Sequence, residues 1–249
     1  MLKIEDAEVM GWEAAIRGMR NPMNSWEKSD SVFIPASYCD EKEDLNLAHI
    51  CHGIAPIVKD NDLDLMMRLR NAGTDHRKFM RMITVYVDIT APLYWWKEFD
   101  TYKVGTVANS CSTMHKIHAK EFTMDDFSHE HLITDRSGEV VGIEYLDFVI
   151  GGLNKYRNRY LATKDKTYWW QMIQLLPTSY NQRRTVMLNY EVLANIYKSR
   201  KNHQLDEWHT FCDWIETLPY SELIIGKPTI DEFLKDHPTS PLLEKKGEI

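Results

Sequence analysis

The chain has 249 residues, 43% hydrophobic and 27% charged, so it is long enough to bury a sizeable core. Its formal net charge of −7 argues against a dedicated duplex-DNA-binding protein, which would present a basic face. The apolar runs are short, and the N-terminal MLKIEDAEVM lacks the apolar segment of a signal peptide. We therefore expect a cytoplasmic protein without a membrane span, whose four cysteines are free thiols.

Strand and helix patterns alternate through the first half of the chain. Residues 81–90 (RMITVYVDIT) are rich in β-branched and aromatic side chains ahead of Pro92, and they predict the clearest strand. The aromatic-rich stretch at 93–107 then has a helical pattern. The other predicted elements are a strand at 2–9, a helix at 12–20, a long loop at 24–44 and a helix at 62–70.

Helical patterns predominate in the second half. Residues 185–200 (TVMLNYEVLANIYKSR) predict a helix, and 205–218 carries apolar residues at helical spacing before Pro219. The other predicted elements are a helix at 121–126, a turn at Ser137-Gly138, and helices at 144–158 and 169–176. Three of the nine prolines follow residue 226, so we expect a loosely ordered tail from about 227. Without a repeat or a linker, residues 1–249 are predicted to form a single α/β domain.

Standard nucleophile and phosphate-binding motifs are missing from the sequence. It contains no G-x-S-x-G, no G-x-x-x-x-G-K-[ST] and no G-x-G-x-x-G. Two groups of possible metal ligands are present: Cys39 with His49, Cys51 and His52, and His115 with His118. The first group lacks paired C-x-x-C knuckles and the second lacks a third ligand, so we expect no bound metal.

One segment of the second half combines apolar residues with groups that bind ligands. If it is helical from Asn189 onward, one face carries Asn189, Leu193, Ile196, Arg200 and His203. This face is either the border of an amphipathic helix or a ligand-binding surface. An amide, a guanidinium and an imidazole could each hydrogen-bond a heterocyclic ring.

The same segment carries a family resemblance. LPTSYNQRRTVMLNYEVLANIYKSRKNH resembles the C-terminal signature of flavin-dependent thymidylate synthases, which runs L-P, an N-x-R-x-x-x-x-N helix, an L-R pair and a His. Asn189, Asn195, Arg200 and His203 match that signature. Glu191 stands where the family has an arginine.

The resemblance continues upstream, over residues 71–116. His76 precedes Pro92 by sixteen residues, as in the family. KEFDTYKVGTVANSCSTM then occupies the place of the R-Q-x-x-R-H-R signature and the S-x-R-Y that follows it. The residues in those places are Lys97, Glu98, Thr101, Tyr102 and Lys103, followed by Asn109, Cys111 and Thr113. The hydrophobic pattern is similar to the family's, whereas most of the charges are gone.

The resemblance implies an α+β fold with a mixed sheet packed against helices. It also implies a homotetramer with FAD across the interface, NADPH and methylenetetrahydrofolate as co-substrates, and methylation at C5 of dUMP. Aromatic residues that border the family's interface are Trp95, Trp96, Tyr102, Trp169 and Trp170. The implied FAD-binding residues are His76, Tyr102, Lys103, Asn109, Asn189, Asn195 and His203. The implied substrate-binding residues are Glu98, Cys111, Arg183, Arg184 and Arg200, and Arg200 would also be catalytic, polarising a pyrimidine carbonyl.

The departures from the family pattern concern the phosphate. Thr101, Thr113 and Ile173 stand where the family often has arginines, and each lost charge-assisted contact costs about 1.5–3 kcal/mol. We therefore expect weak dUMP binding unless other cations hold the phosphate: Lys97, Lys103, Arg183 or Arg184. The alternatives are a flavin-dependent hydroxymethylating or reducing enzyme with a changed pyrimidine substrate, or a protein that binds a nucleotide without turnover.

Overall fold

The computed structural model describes residues 2–33, 57–135 and 140–226. The described strands are β1 (Lys3–Met10), β2 (Thr84–Pro92), β3 (Val107–Ser110) and β4 (Asn181–Asn189). The described α-helices are α1 (Trp12–Arg20), α2 (Asp60–Asn71), α3 (Leu93–Phe99), α4 (Gly142–Thr163), α5 (Lys166–Leu175), α6 (Tyr190–Arg200), α7 (Asp206–Glu216) and α8 (Glu222–Ile225). Short 3-10 helices lie at Asn21–Met23, Trp26–Lys28, Lys78–Arg81 and Met124–Asp126.

The four strands form one sheet in the order β1-β2-β4-β3, and each described pair of neighbours is antiparallel. The helices and the sheet confirm the predicted α+β class. No helix among the described residues is both long and apolar enough to span a bilayer. The group of Cys39, His49, Cys51 and His52, the turn at Ser137-Gly138 and the tail lie outside the described residues.

One face of the sheet forms the floor of the main core. Alternate residues of β2 and β4, such as Val87 and Val186, are fully buried there, in a core cluster that also contains apolar residues of α1, α6 and α7. The opposite face carries Tyr86, Asp88 and Arg183 and is open to water. A second, smaller core lies between α4 and α5.

The predicted helix at 185–200 is wrong over its first five residues. Residues 185–189 belong to β4 and pair with residues 84–88 of β2. Val186 and Leu188 are buried, whereas Thr185 and Met187, which alternate with them, are less buried. Pairing to a central strand overrides the local helical pattern. The helix begins at Tyr190, because the Oδ1 atom of Asn189 caps it by accepting the Val192 N–H at 3.1 Å.

Two other predicted helices are shorter in the structure. The helix predicted at 93–107 ends at Phe99, and the chain then turns at Gly105, where φ is +80°, and continues as β3. The helix predicted at 121–126 is only the 3-10 turn Met124–Asp126. The Thr123 side chain and the Asp126 carboxylate close this turn with a capping box.

Candidate functional site

The carboxylate of Glu98, near the end of α3, gathers side chains from two other segments. Its Oε2 atom accepts hydrogen bonds from Nη1 of Arg200 at 2.8 Å and from Nε1 of Trp208 at 3.0 Å. Nε2 of His203 lies 3.3 Å from the same oxygen. With Tyr102, these residues are called the Glu98 cluster. It joins the end of α3, the end of α6 and the start of α7.

The hydrogen bonds of His203 fix its tautomer. The backbone N–H of Leu205 donates to Nδ1 at 3.1 Å, so that nitrogen carries no proton. Nε2 is then the ring nitrogen that faces Glu98, 3.3 Å from its Oε2 atom. His203 thereby ties the turn after α6 to α3.

Arg200 lies over two aromatic rings. Its Nε atom donates to the Tyr102 hydroxyl at 2.9 Å, and its guanidinium carbon lies 4.8 Å from the Trp208 ring centre and 5.6 Å from that of Tyr102. The side chain is 18% exposed, so water or a ligand can still reach it. Stacking and a carboxylate partner fix the guanidinium plane, a role that lysine cannot fill.

A second polar cluster lies at the start of α6. Glu191 is buried, and its Oε1 atom lies 3.3 Å from Nε of Arg77; Arg81 forms a further ion pair with the same carboxylate. Nη2 of Arg77 also donates to Oδ1 of Asn195 at 3.2 Å. The negative charge that replaces the family's arginine at position 191 is therefore neutralised by two arginines from the segment before β2.

Asn189 packs against the turn that follows α3. A Cβ atom at Gly105 would lie 2.9 Å from its Nδ2 atom, so a larger residue at 105 would displace the amide. The positive φ of Gly105 makes glycine the favoured residue for the same turn. The sequence predicted Asn189 as a flavin contact, and the structure shows that its side-chain oxygen is already used by the helix cap.

Arg184 lies in a third cluster, at the other side of α3. Its Nη1 atom lies 2.7 Å from Oδ1 of Asp100, and its guanidinium carbon lies 4.2 Å from the Trp96 ring centre. Gln182 accepts from Nε of Arg184 at 3.0 Å and donates to the Cys111 carbonyl at 2.7 Å. These contacts bring Cys111 beside β4, with its thiol exposed.

Arg183 faces away from Arg184. Its Nη2 atom lies 2.6 Å from Asp88 and 3.4 Å from Asp6, on the open face of the sheet. Successive residues of a strand point to opposite faces, so Arg183 and Arg184 cannot hold one phosphate from the same protomer.

Other predicted site residues lie at the surface. His76, Lys103 and Asn109 are exposed, and neither Lys97 nor Lys103 is ion-paired with another residue that the structure describes. His115 and His118 belong to no group of three or more His, Cys, Asp or Glu side chains suited to a metal, as far as the described ranges extend.

The aromatic residues predicted at a subunit interface need correction. Trp95 and Trp96 are fully buried in the main core, where Trp95 stacks on Phe99 and packs on Trp208. They therefore offer no surface to a second subunit. Trp170, in the second core's helix α5, is 43% exposed.

Sequence reasoning missed four members of these clusters: the two arginines that pair with Glu191, the Asp100 carboxylate, and the indole N–H of Trp208. Arg77 and Arg81 have the i, i+4 spacing that places two side chains on one side of a turn, but only the fold brings them to Glu191. Asp100 follows α3 directly and gave no signal of its own. Trp208 was predicted on an apolar helix face, and its indole N–H also donates a hydrogen bond to Glu98.

A shallow cleft of about 540 Å³ lies between α6 and α7 and adjoins the Glu98 cluster at His203. Its lining includes His203, Tyr197, Cys212 and Glu216. Burial, followed by the nearby Asp213 and Glu216, raises the pKa of the Cys212 thiol to about 11.

No protein-family model matches the chain, and no curated protein matches it. Among solved structures it is similar to thymidylate synthase X of Helicobacter pylori with FAD and dUMP, at a TM-score of 0.59 and 12% identity, covering 90% of this chain and 98% of that one. A second structure of that flavin-dependent enzyme, also complexed with FAD and dUMP, gives 0.54 and 11%, covering 90% and 97%. The UMP/dUMP methylase PolB of Streptomyces cacaoi, bound with 5-Br UMP, gives 0.50 and 11%, covering 87% of each chain.

The chain has the fold of the flavin-dependent thymidylate synthases. The likeness in tertiary structure carries this statement, since no comparison at the level of sequence matches. At 11–12% identity the likeness establishes the fold alone. The thymidylate synthase-like fold predicted from the signature is therefore confirmed.

Proposed function

We propose that this protein is a flavin-dependent enzyme that transfers a one-carbon unit to C5 of a pyrimidine nucleotide, dUMP or a relative. NADPH and methylenetetrahydrofolate would be its co-substrates and the cytoplasm its setting. The observation that carries the proposal is the placement of Arg200. It is the signature arginine of the resemblance, and it lies stacked, oriented and partly open to solvent.

Arg200 has the chemistry needed to bind a pyrimidine. A guanidinium held in one plane presents N–H donors to a ring carbonyl and stabilises negative charge that develops on the ring. Glu98 and Tyr102 fix that plane by hydrogen bonds before any ligand arrives. The site is thus organised in advance, which reduces the entropy lost on binding.

The residues predicted to bind FAD still have hydrogen-bond donors and a positive charge available for it. Oδ1 of Asn195 accepts from Arg77, which leaves the amide N–H groups of Asn195 for a flavin carbonyl. Lys103 is an exposed cation suited to a pyrophosphate, and His76 and Asn109 are exposed at the surface. When bound, FAD would supply the redox chemistry of the transfer, so no nucleophilic side chain is required.

We further propose a homotetramer in which a second copy completes the flavin site. On α4, Phe148 is 83% exposed and Tyr145 is 62% exposed, which is unusual for large apolar side chains three residues apart on one helix. A second copy would bury this face. The resemblance implies that the exposed FAD-binding candidates would lie between such subunits.

The test begins with the purified protein. We expect it to show the absorption spectrum of a bound flavin. With NADPH and methylenetetrahydrofolate, we expect it to release tritium from a uridine or deoxyuridine nucleotide labelled at C5. Flavin without tritium release would favour reduction or another altered reaction on the same ring. A protein that neither copurifies with FAD nor binds added FAD would contradict the proposal.

A second candidate is a protein that binds a pyrimidine without turnover. It is favoured by the pairing of Arg184 and Arg200 with the carboxylates of Asp100 and Glu98, which leaves little free positive charge for a phosphate. Binding of a pyrimidine compound by protein without flavin, and no product with any co-substrate, would support this candidate.

A further inference from the structure

Positive charge is concentrated at the end of α4 and the start of α5, although the protein as a whole is acidic. Residues 155–170 (KYRNRYLATKDKTYWW) contain five Lys and Arg against one Asp. Residues 114–120 (MHKIHAK) contain two more lysines and no acidic residue. Seven cations and one carboxylate give these two segments a formal charge of +6 with neutral histidines, whereas the whole chain carries −7. Such an uneven division of charge indicates a surface that attracts an anionic partner.

Tertiary contacts join the two segments into one surface. Nε1 of Trp169 donates to the carbonyl of Met114 at 3.0 Å. Nε of Arg157 donates to the carbonyl of His118 at 3.0 Å. These two hydrogen bonds fix the shorter segment against α4 and α5. Both segments together are called the α4–α5 surface.

Most cations of the α4–α5 surface are available to a ligand. Lys120 is ion-paired with Asp126. The other six are paired with no acidic residue that the structure describes: Lys116, Lys155, Arg157, Arg159, Lys164 and Lys166. All of these except Arg157 are exposed, and Arg157 is partly exposed. A ligand with several negative charges would therefore meet cations that no carboxylate already neutralises.

Aromatic rings lie among these cations. The guanidinium carbon of Arg159 lies 5.5 Å from the ring centre of Tyr168, and Nζ of Lys166 lies 5.7 Å from that of Trp170. The Trp170 side chain is 43% exposed, so its ring is open to solvent. Tyr160 packs on the second core and is only partly buried. The surface thus combines rings for stacking with cations for phosphates.

A single-stranded nucleic acid fits this combination better than other anionic partners do. Its phosphates repeat along the strand, and its unpaired bases stack on aromatic side chains. A duplex keeps its bases stacked inside the helix, so Trp170 would gain no base contact from it. An anionic membrane is bound by apolar side chains that reach beyond the charges, whereas here Lys166 lies over the Trp170 ring itself.

We propose that the α4–α5 surface binds single-stranded nucleic acid, with phosphates held by its lysines and arginines and a base stacked on Trp170. This binding goes beyond the proposed function and does not depend on it, because it uses neither Arg200 nor the rest of the Glu98 cluster. It also leaves room for the proposed subunit contact on α4. Lys155 and Arg159 lie about 10 and 16 Å beyond Phe148 along the helix, at a rise of about 1.5 Å per residue.

Fluorescence anisotropy with labelled oligonucleotides of about 12 nucleotides tests the inference. The probes are oligo-dT, oligo-U and the duplex of oligo-dT with oligo-dA. At least one single strand should bind about fivefold or more tightly than the duplex, and the tighter strand identifies the preferred sugar. If about four phosphates are contacted, the affinity should fall by about 50-fold between about 50 mM and 200 mM salt.

Three results with the wild-type protein would overturn the inference. The first is equal or tighter binding of the duplex. The second is equal binding of a polyglutamate peptide, which would show attraction to any polyanion. The third is binding to vesicles that contain phosphatidylserine without binding to either single strand.

The variant Trp170→Ala tests the stacking contact. Its affinity for the single strand should fall by about fivefold or more, because a base loses its aromatic platform. Trp26→Ala is the matched control, since Trp26 is 50% exposed and lies after α1, outside the α4–α5 surface. Its affinity should equal that of the wild type. Equal affinities of the two variants would contradict the role of Trp170.

A charge-reversal pair tests the phosphate contacts. Lys155→Glu combined with Lys166→Glu should lower the affinity by about tenfold or more and reduce its salt dependence, because two phosphate contacts are lost. Arg17→Glu combined with Lys28→Glu changes the net charge equally, at exposed positions of α1 and the 3-10 helix that follows it, and should have little effect. Equal losses in both double variants would show a general effect of net charge and overturn the inference. Circular dichroism establishes that each variant is folded.

Discussion

Oε1 of Glu191 lies 3.3 Å from Nε of Arg77. On α6 the chain therefore has a paired carboxylate at the position where the family signature has an arginine. The carboxylate side chain is only 7% exposed, whereas that of Arg81, its second partner, is more than half exposed. Arg77 therefore depends on Glu191 more than Arg81 does, because Arg81 can be hydrated instead.

Replacing Glu191 by Ala should destabilise the protein. The change leaves the Arg77 guanidinium partly buried without its carboxylate, so we expect a loss of about 1–3 kcal/mol in the free energy of unfolding. Urea denaturation at neutral pH measures it. Glu13→Ala removes an exposed partner of Arg17 on α1 and should cost no more than about 0.5 kcal/mol. Equal effects of the two substitutions would show that the Glu191 pair is not structural.

Replacing Arg200 by Ala should remove ligand binding and leave the fold intact. Glu98 keeps the Trp208 indole as a hydrogen-bond donor and His203 as a close neighbour, so the cluster loses one partner rather than all of them. If the protein turns over a pyrimidine, we expect kcat/KM to fall by about 100-fold or more, because a positioned donor to the ring is gone. Arg200→Lys should not restore activity, since lysine cannot stack or present two donors in a plane. A lower melting temperature with unchanged ligand affinity would make Arg200 a structural residue.

Nη2 of Arg20 in α1 lies 2.7 Å from Oδ1 of Asp62 in α2, and both side chains are buried. This pair should control stability in acid. Burial alone would raise the pKa of Asp62, but hydrogen bonds from Ser31, Ser29 and Arg20 outweigh burial, so its pKa lies below the ordinary value. A carboxylate with a lowered folded-state pKa stabilises the fold above about pH 4, and this contribution disappears as the pH falls through that lower pKa.

Asp62→Asn tests this effect, since it leaves Arg20 buried without a charge partner. We expect a loss of about 3–5 kcal/mol at neutral pH. The difference from the wild type should shrink steadily below about pH 4, as the wild-type carboxylate is protonated. Urea unfolding across the pH range measures both. Asp64→Asn on the same helix removes an exposed partner of Arg68 and should change stability little at any pH. A pH-independent difference for Asp62→Asn would contradict the assigned role.

The exposed face of α4 should hold subunits together. The tetramer would have a mass of about four times 29.3 kDa, or 117 kDa, and Phe148→Glu should dissociate it because a charge cannot be buried there without a partner. Light scattering at micromolar concentration gives the mass. Met23→Glu, at another exposed apolar side chain after α1, should leave the mass unchanged. A wild-type protein of monomer mass would contradict the interface.

Cys111 and Cys212 should differ in reactivity toward iodoacetamide. Burial raises the pKa of Cys212 to about 11, so at pH 8 only about one in a thousand of its thiols is ionised. The Cys111 thiol is exposed. After a short pulse, peptide mapping should find Cys111 alkylated and Cys212 unmodified in native protein, with both modified after denaturation. Early labelling of Cys212 would show that α7 opens locally.

The amino-acid sequence by itself determined much of this protein. Alternating β-branched residues specified β2, proline and asparagine ended α1, and the Asn189, Asn195 and Arg200 spacing pointed to the fold that the structure confirms. These signals are local, because each arises from residues within one turn, one strand or one helix.

Only the tertiary structure decided that residues 181–189 form a strand, because their pairing partner lies about a hundred residues earlier in β2. It also decided which charges meet. Arg200 and Glu98 are 102 positions apart, and Arg77 and Glu191 are 114 apart. Their pairing depends on where helices end in space, and no periodicity along the chain records it.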